Sequence, residues 1–152
     1  MSKFTKDSEA KLLNMLGEEL KVWEQIYTLT ENQASLIELD DVEKLSESID
    51  QRQELIEKIK GLHQESNALM QSYISVSGND EGGKSAAIEA EKTKIRNKIT
   101  ACSQKNDKNI AEANKIKGTY IEKAEELGQQ RKSIGAYALD VTNNSELFDT
   151  KG

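Results

Sequence analysis

The chain has 152 residues, a net charge of −6, 32% charged and 5% aromatic side chains, and no proline. Its length suits one domain, and 36% apolar content is low for a compact globule but enough for helix–helix seams, where about two or three positions in seven face inward. The start MSKFTKDSEAK has no apolar core for a signal peptide, no run approaches membrane-spanning length, and the one cysteine, Cys102, cannot form an internal disulfide, so a cytoplasmic location is expected.

A first helix is expected over about residues 7–39. Leu13, Leu16, Leu20, Trp23, Tyr27, Ala34 and Ile37 recur three or four apart, with Thr30 in one slot. Leu12, Ile26, Leu29 and Leu36 widen the stripe on its flank. In ELDDVEKL, Asp40 or Asp41 can cap the next helix by accepting from its free N–H groups. The second helix is expected over about 41–76. Val42, Leu45, Ile49, Ile56, Ile59, Met70 and Tyr73 form its stripe, and Arg52, His63 and Ser66 occupy the same slots.

The stretch GNDEGGKS, residues 78–85, matches the pattern of a phosphate-binding loop. Such a loop must leave a buried strand of a parallel sheet and enter a helix. No segment reads as a run of buried β-branched residues, and Asp80 and Glu81 stand where anionic phosphates would dock. The stretch is expected to be a polar connector.

A third helix is expected over about 85–134, marked by Ile88, Ile95, Ile99, Cys102, Ile110, Ala113, Ile116, Tyr120, Ala124, Leu127 and Ile134. It would be ~75 Å long against ~50 Å for each of the others, so it should overhang them or bend, either at SQKNDKN (103–109) or near Gly118. Residues 135–152 lack a helical stripe and are expected to form a mobile tail. Tyr137, Leu139, Val141, Leu147 and Phe148 would let that tail dock a partner or fold back over the third helix. The expected architecture is all-α: an elongated antiparallel bundle of three long helices with coiled-coil-like packing over 1–134, then the tail.

Charge divides unevenly. Residues 1–77 carry 8 basic and 15 acidic groups, and residues 78–152 carry 13 and 12. Within 92–117 eight basic residues face only Asp107 and Glu112. An acidic front half packed beside a more basic later segment accounts for this. Nucleic-acid binding is not expected, because the basic stretch has no aromatic residue to stack on bases and no arginine cluster.

No catalytic set emerges. There is one histidine, His63, and Lys60 stands where the Glu-x-x-His pairing of di-iron bundles would need a glutamate. His63 and Cys102 read as packing residues and Trp23 as core. No enzyme activity, metal or cofactor is expected.

The front half carries a resemblance. Leu12, Leu13, Leu16, Glu19 and Leu20, then Trp23, Glu24 and Ile26, then Ala34, Leu36, Ile37 and Asp40, followed by Leu45, Leu55, Ile56 and Ile59, resemble the FlgN-type flagellar export chaperones over residues 10–62. The resemblance implies a non-catalytic cytoplasmic chaperone that binds the C-terminal helical segment of hook–filament junction proteins. It would deliver them to the cytoplasmic domain of the export-gate membrane protein. It also implies that the later part of the chain holds the substrate and that a tyrosine near the C-terminus docks at the gate. The overhanging stripe of Ala113, Ile116, Tyr120, Ala124, Leu127 and Ile134 is then the expected substrate-binding surface, by helix-in-groove packing. Tyr137 with Leu139 is the expected docking point, with Tyr120 as the other candidate tyrosine. The same stripe could pair with a second copy as a homodimer. The rival expectation is a structural coiled-coil or adaptor protein with no export role.

Overall fold

A computed structural model describes residues 4–78, 84–115 and 120–150, with side chains described over 4–78, 84–115 and 123–138. Four helices follow one another: α1 (Lys6–Glu38), α2 (Val42–Ser77), α3 (Ala86–Lys115) and α4 (Tyr120–Thr150). Among the described residues there is no strand.

Local chemistry sets the first two boundaries. Thr5 has extended backbone and its Oγ1 accepts from the Ser8 N–H at 3.1 Å, which caps α1. Asp7 and Glu9 in the first turn complement the helix dipole. At the other end Asp40 takes φ 60. Its N–H bonds to the Ile37 carbonyl at 3.2 Å and that of Asp41 to the Leu36 carbonyl at 3.0 Å. This is a Schellman turn with aspartate where glycine is usual, tolerated because a short polar side chain can enter the left-handed region. The Asp41 carboxylate then accepts from the Lys44 N–H at 3.1 Å and starts α2. Asp40 turns the chain, and Asp41 caps.

Cross-helix bonds fix the topology. Gln33 Nε2 donates to Ser48 Oγ at 3.2 Å, and His63 meets Glu19 at 3.0 Å, so α1 and α2 run antiparallel. Asn106 reaches the Leu127 carbonyl at 3.4 Å and Arg131 meets Asp107 at 3.2 Å, and Ala113 clusters with Ala124 while the earlier Cys102 clusters with the later Ile134, so α3 and α4 form a second antiparallel hairpin. The Cys102 thiol points to the Trp23 carbonyl and Asn109 donates to the Thr30 carbonyl, so α1 and α3 run parallel. Lys123 to Ser46 and Arg52 to Gln130 set α4 parallel to α2. Two hairpins thus lie face to face. α4 packs more closely on α3 than on α2.

The third helix expected over 85–134 is therefore two helices, and the three-helix bundle is a four-helix one. The stretch 103–109 lies within the continuous helix α3. The chain reverses between Lys115 and Tyr120, and residues 116–119, with Ile116 and Gly118, lie outside the described residues. The physical reason is burial: helices draw most of their stability from tertiary packing. A single straight helix would leave the 124–134 stripe bare, whereas the hairpin seats Ala124, Leu127 and Ile134 in the core. The segment 135–150, expected as a tail, continues α4.

Buried apolar residues fall into two clusters. The larger holds Leu12, Leu16, Trp23, Ile26, Ile56, Ile59, Tyr73, Ile88, Ile95, Ile99, Cys102 and Ile134. The smaller, where α1 turns into α2, holds Ile37, Leu45, Ile49, Ala113, Ala124 and Leu127. In α1 the deepest residues are Leu12, Leu16, Val22, Trp23 and Ile26, while Leu13, Leu20 and Tyr27 are only partly buried. The seam is rotated toward the expected flank because α1 packs against both α2 and α3.

Candidate functional site

A polar layer lies among these apolar residues. It is built at stripe positions that continue the three-or-four spacing with polar side chains: Thr30 and Gln33 on α1, Ser48 and Arg52 on α2, Asn106 and Asn109 on α3, and Gln130 on α4. The Arg52 side chain is fully buried. Its Nε donates to Gln130 Oε1 at 2.7 Å and its Nη1 to Thr30 Oγ1 at 3.0 Å. Thr30 donates in turn to the Ile26 carbonyl at 2.7 Å, and Gln130 Nε2 to the Ile49 carbonyl at 2.8 Å. Asn109 Nδ2 donates to the Thr30 carbonyl at 2.8 Å.

Three atoms of the layer have no partner among the described residues: Gln33 Oε1, Arg52 Nη2 and Asn106 Oδ1. The guanidinium also meets no carboxylate there, and desolvation lowers its pKa to about 10, so it keeps its charge at neutral pH. A buried cation answered only by an amide and a hydroxyl is costly, and structures seldom keep one without a use. Burial pushes the neighbouring Cys102 thiol up to about 12, which makes it inert as a nucleophile.

A second constellation lies further along α2 and α4. The Glu19 carboxylate accepts from Trp23 Nε1 at 3.2 Å and pairs with His63 Nε2 at 3.0 Å. The Tyr137 ring sits edge-on to both, with centroids 5.6 Å from Trp23 and 5.3 Å from His63. His63 is therefore held by a carboxylate and a ring. Among the described residues no group of three or more His, Cys, Asp or Glu side chains could hold a metal ion.

The residues expected to bind a substrate protein are placed as follows. Ala113, Ala124 and Leu127 are buried together in the smaller cluster, and Ile134 is buried in the larger. They do not form an open face here, because α4 folds back onto the seam that a straight third helix would have left uncovered. Ile116 and the Tyr120 side chain lie outside the described residues. Of the expected docking residues, Tyr137 is half-buried against Trp23 and His63, and the Leu139 side chain lies outside the described residues. Sequence reading noticed Thr30 and Arg52 in stripe slots but did not pick out Gln33, Asn106, Asn109 or Gln130. The available signal was the unbroken spacing of 102, 106, 109, 113 and of 127, 130, 134.

The phosphate-loop pattern also resolves at its edge. Residues 79–83 lie outside the described residues. Ser85, which would hold a magnesium ion in such a loop, accepts from the Ile88 N–H at 3.2 Å as the cap of α3, and its hydroxyl donates to Glu9 at 2.6 Å. The Tyr73 hydroxyl accepts from the Ser85 N–H and donates to Glu89 at 2.5 Å, and burial with these carboxylates drives its pKa up. Two carboxylates at the helix start repel phosphate.

Among the described residues no helix is long and apolar enough to cross a membrane. No curated protein and no solved structure matches the chain. A family model described as FlgN protein matches residues 1–124. That match takes in the first hairpin, all of α3 and the start of α4, well beyond the 10–62 stretch that carried the resemblance. On this evidence the chain belongs to the FlgN family.

Proposed function

We propose that the protein is a cytoplasmic chaperone of flagellar export. It binds the C-terminal helical segment of hook–filament junction proteins and hands them to the cytoplasmic domain of the export gate. Membership of the FlgN family, a non-enzymatic chaperone family, is the observation that carries this reading. The bundle supports it in one respect. The polar layer separates two apolar clusters, so the end holding Ala113, Ala124 and Leu127 can open while the larger cluster stays packed. Opening there offers a helix-in-groove surface formed by Ala113, Ile116, Tyr120, Ala124 and Leu127. Ile134, which packs in the larger cluster, would join it as α4 loosens further. Tyr137 and Leu139 remain the proposed docking point. In the closed bundle Tyr137 packs on Trp23 and His63, so docking would follow the loosening of α4.

The test is calorimetric titration of the full-length chain with the C-terminal segments of the same organism's junction proteins. Micromolar or tighter binding with a negative heat-capacity change, the mark of apolar burial, is expected. Absence of heat at two temperatures would refute the chaperone reading and favour an adaptor role.

A further inference from the structure

Among the described residues Arg52 is a charged interior side chain that the closed bundle leaves without a full set of partners. Its side chain is fully buried, yet Nη2 has no acceptor and no carboxylate approaches it among the described residues. A guanidinium presents a planar fork that a carboxylate fills with two parallel bonds and neutralises. Gln130 supplies one neutral oxygen to Nε at 2.7 Å and spends its amide on the Ile49 carbonyl. That oxygen comes from α4, whose packing on α2 is lighter than its packing on α3. The missing charge lies at this lighter α2–α4 contact.

We propose that Arg52 is a specificity residue that reads a carboxylate on the partner: a Glu or Asp of an amphipathic helix that displaces α4 from α2 while α4 stays on α3. This rests on the reading of the chain as a chaperone for a helical segment. Gln130 is then a neutral stand-in, adequate to keep the bundle closed and weaker than the acid it is exchanged for. The neighbours of Gln130 set the pattern the partner must carry. Leu127 lies three residues before it and Ile134 four after, both buried, with the small Ala124 a turn before Leu127. The recognised helix should therefore have a small residue, an aliphatic three later, an acid three after that, and an aliphatic four beyond the acid. An acid-free helix of the same apolar pattern gains nothing over α4 and is rejected.

Two measurements test this. The first needs no partner: the full-length chain is given its own carboxylate by Gln130→Glu. Its melting temperature should rise at neutral pH. The glutamate's pKa should fall beside Arg52, so the gain is present above the unfolded value of about 4.3 and disappears as pH drops through the lower folded value. A lower melting temperature at neutral pH would show that the layer does not accept a carboxylate and would overturn the proposal. The second uses the junction-protein segments, with each Asp and Glu replaced singly by its amide. One replacement should weaken binding to the wild-type chain by roughly tenfold to a hundredfold, and by less than about threefold to Arg52→Gln. Arg52→Lys, which keeps the charge but loses the fork, serves if Arg52→Gln does not fold. Gln130→Glu should bind the unmodified segment at least about tenfold more weakly, because α4 then holds the site itself. Binding that is indifferent to every acid would overturn this proposal while leaving the chaperone reading in place. No binding by any segment would refute that reading and the partner role of Arg52 with it, and Gln130→Glu would still report whether the layer takes a carboxylate.

Discussion

Replacing Arg52 and Gln130 together by apolar residues should make the protein more stable, not less. The Arg52 pKa, lowered to about 10, lies below its unfolded value, so the charged form is disfavoured in the folded state. The penalty is complete at every pH below that value, neutral pH included, and is relieved only as pH rises through it. At 1.36 kcal/mol per tenfold change in proton affinity, the depression corresponds to about 3 kcal/mol. Arg52→Met with Gln130→Leu removes the charge together with the amide that answers it. The Nε, Nη1 and Gln130 Nε2 hydrogen bonds are lost, at roughly 0.5 kcal/mol each once both partners of the main bond go, since groups removed in pairs leave little unsatisfied. The expected net gain is about 1–2 kcal/mol, or roughly 2–8 °C in melting temperature for a chain of this size. Far-ultraviolet circular dichroism on heating, with urea titration beside it, measures this. Arg52→Met alone should be near neutral, because Gln130 Oε1 is then orphaned. A double variant destabilised by more than about 1 kcal/mol would refute the reasoning, since the layer would then stabilise the fold by more than its charge costs.

Other outcomes can be checked on the same material. Trp23→Ala should cost about 3–5 kcal/mol in urea, with an unchanged denaturant slope, because the ring is fully buried in the larger cluster. Tyr137→Ala should cost about 1–3 kcal/mol and shift the emission of the single tryptophan to the red, as its edge contact with Trp23 is lost to water. Cys102, buried with its thiol pushed up to about 12, should react with a thiol reagent at mildly alkaline pH only at the rate of unfolding; fast labelling of the folded chain would contradict its placement. ATP and GTP should give no heat of binding, and Lys84→Ala should change nothing in that titration.

The first hairpin was legible because its signals are local. A capped start, two apolar stripes and an Asp-Asp break are complete within residues 5–77, each signalled by side chains only a few positions apart. The second hairpin was not. The chain has no proline to mark the reversal, and the stripe from Ile88 to Ile134 keeps its spacing on both sides of it, so periodicity reads one long helix where packing makes two. The bend was expected at 103–109 or near Gly118; 103–109 lies within α3, and Gly118 lies between α3 and α4, outside the described residues. Asn106 and Asn109 are polar and look like an interruption, but their positions in the stripe are inward, and their amides are used by the Leu127 and Thr30 carbonyls. Hydropathy records what a side chain is, not what it bonds to. The expected overhang gives way for the same reason, because an exposed stripe follows from one helix and a buried seam from two.

The parallel pairing of α1 with α3 has a consequence for synthesis. The residues joined, Trp23 to Cys102 and Thr30 to Asn109, lie 79 positions apart in the chain. At about 5–20 residues per second on a ribosome, the completed first hairpin waits on the order of a few seconds for the strip that covers Leu12, Trp23 and Ile26. During that interval its apolar face is open to any helix in reach, including the nascent α1 of a neighbouring copy. A translational pause soon after Ser77 would lengthen the wait, and faster passage through 84–115 would shorten it. Yield of soluble protein should therefore depend on codon choice in this segment more than anywhere else in the chain.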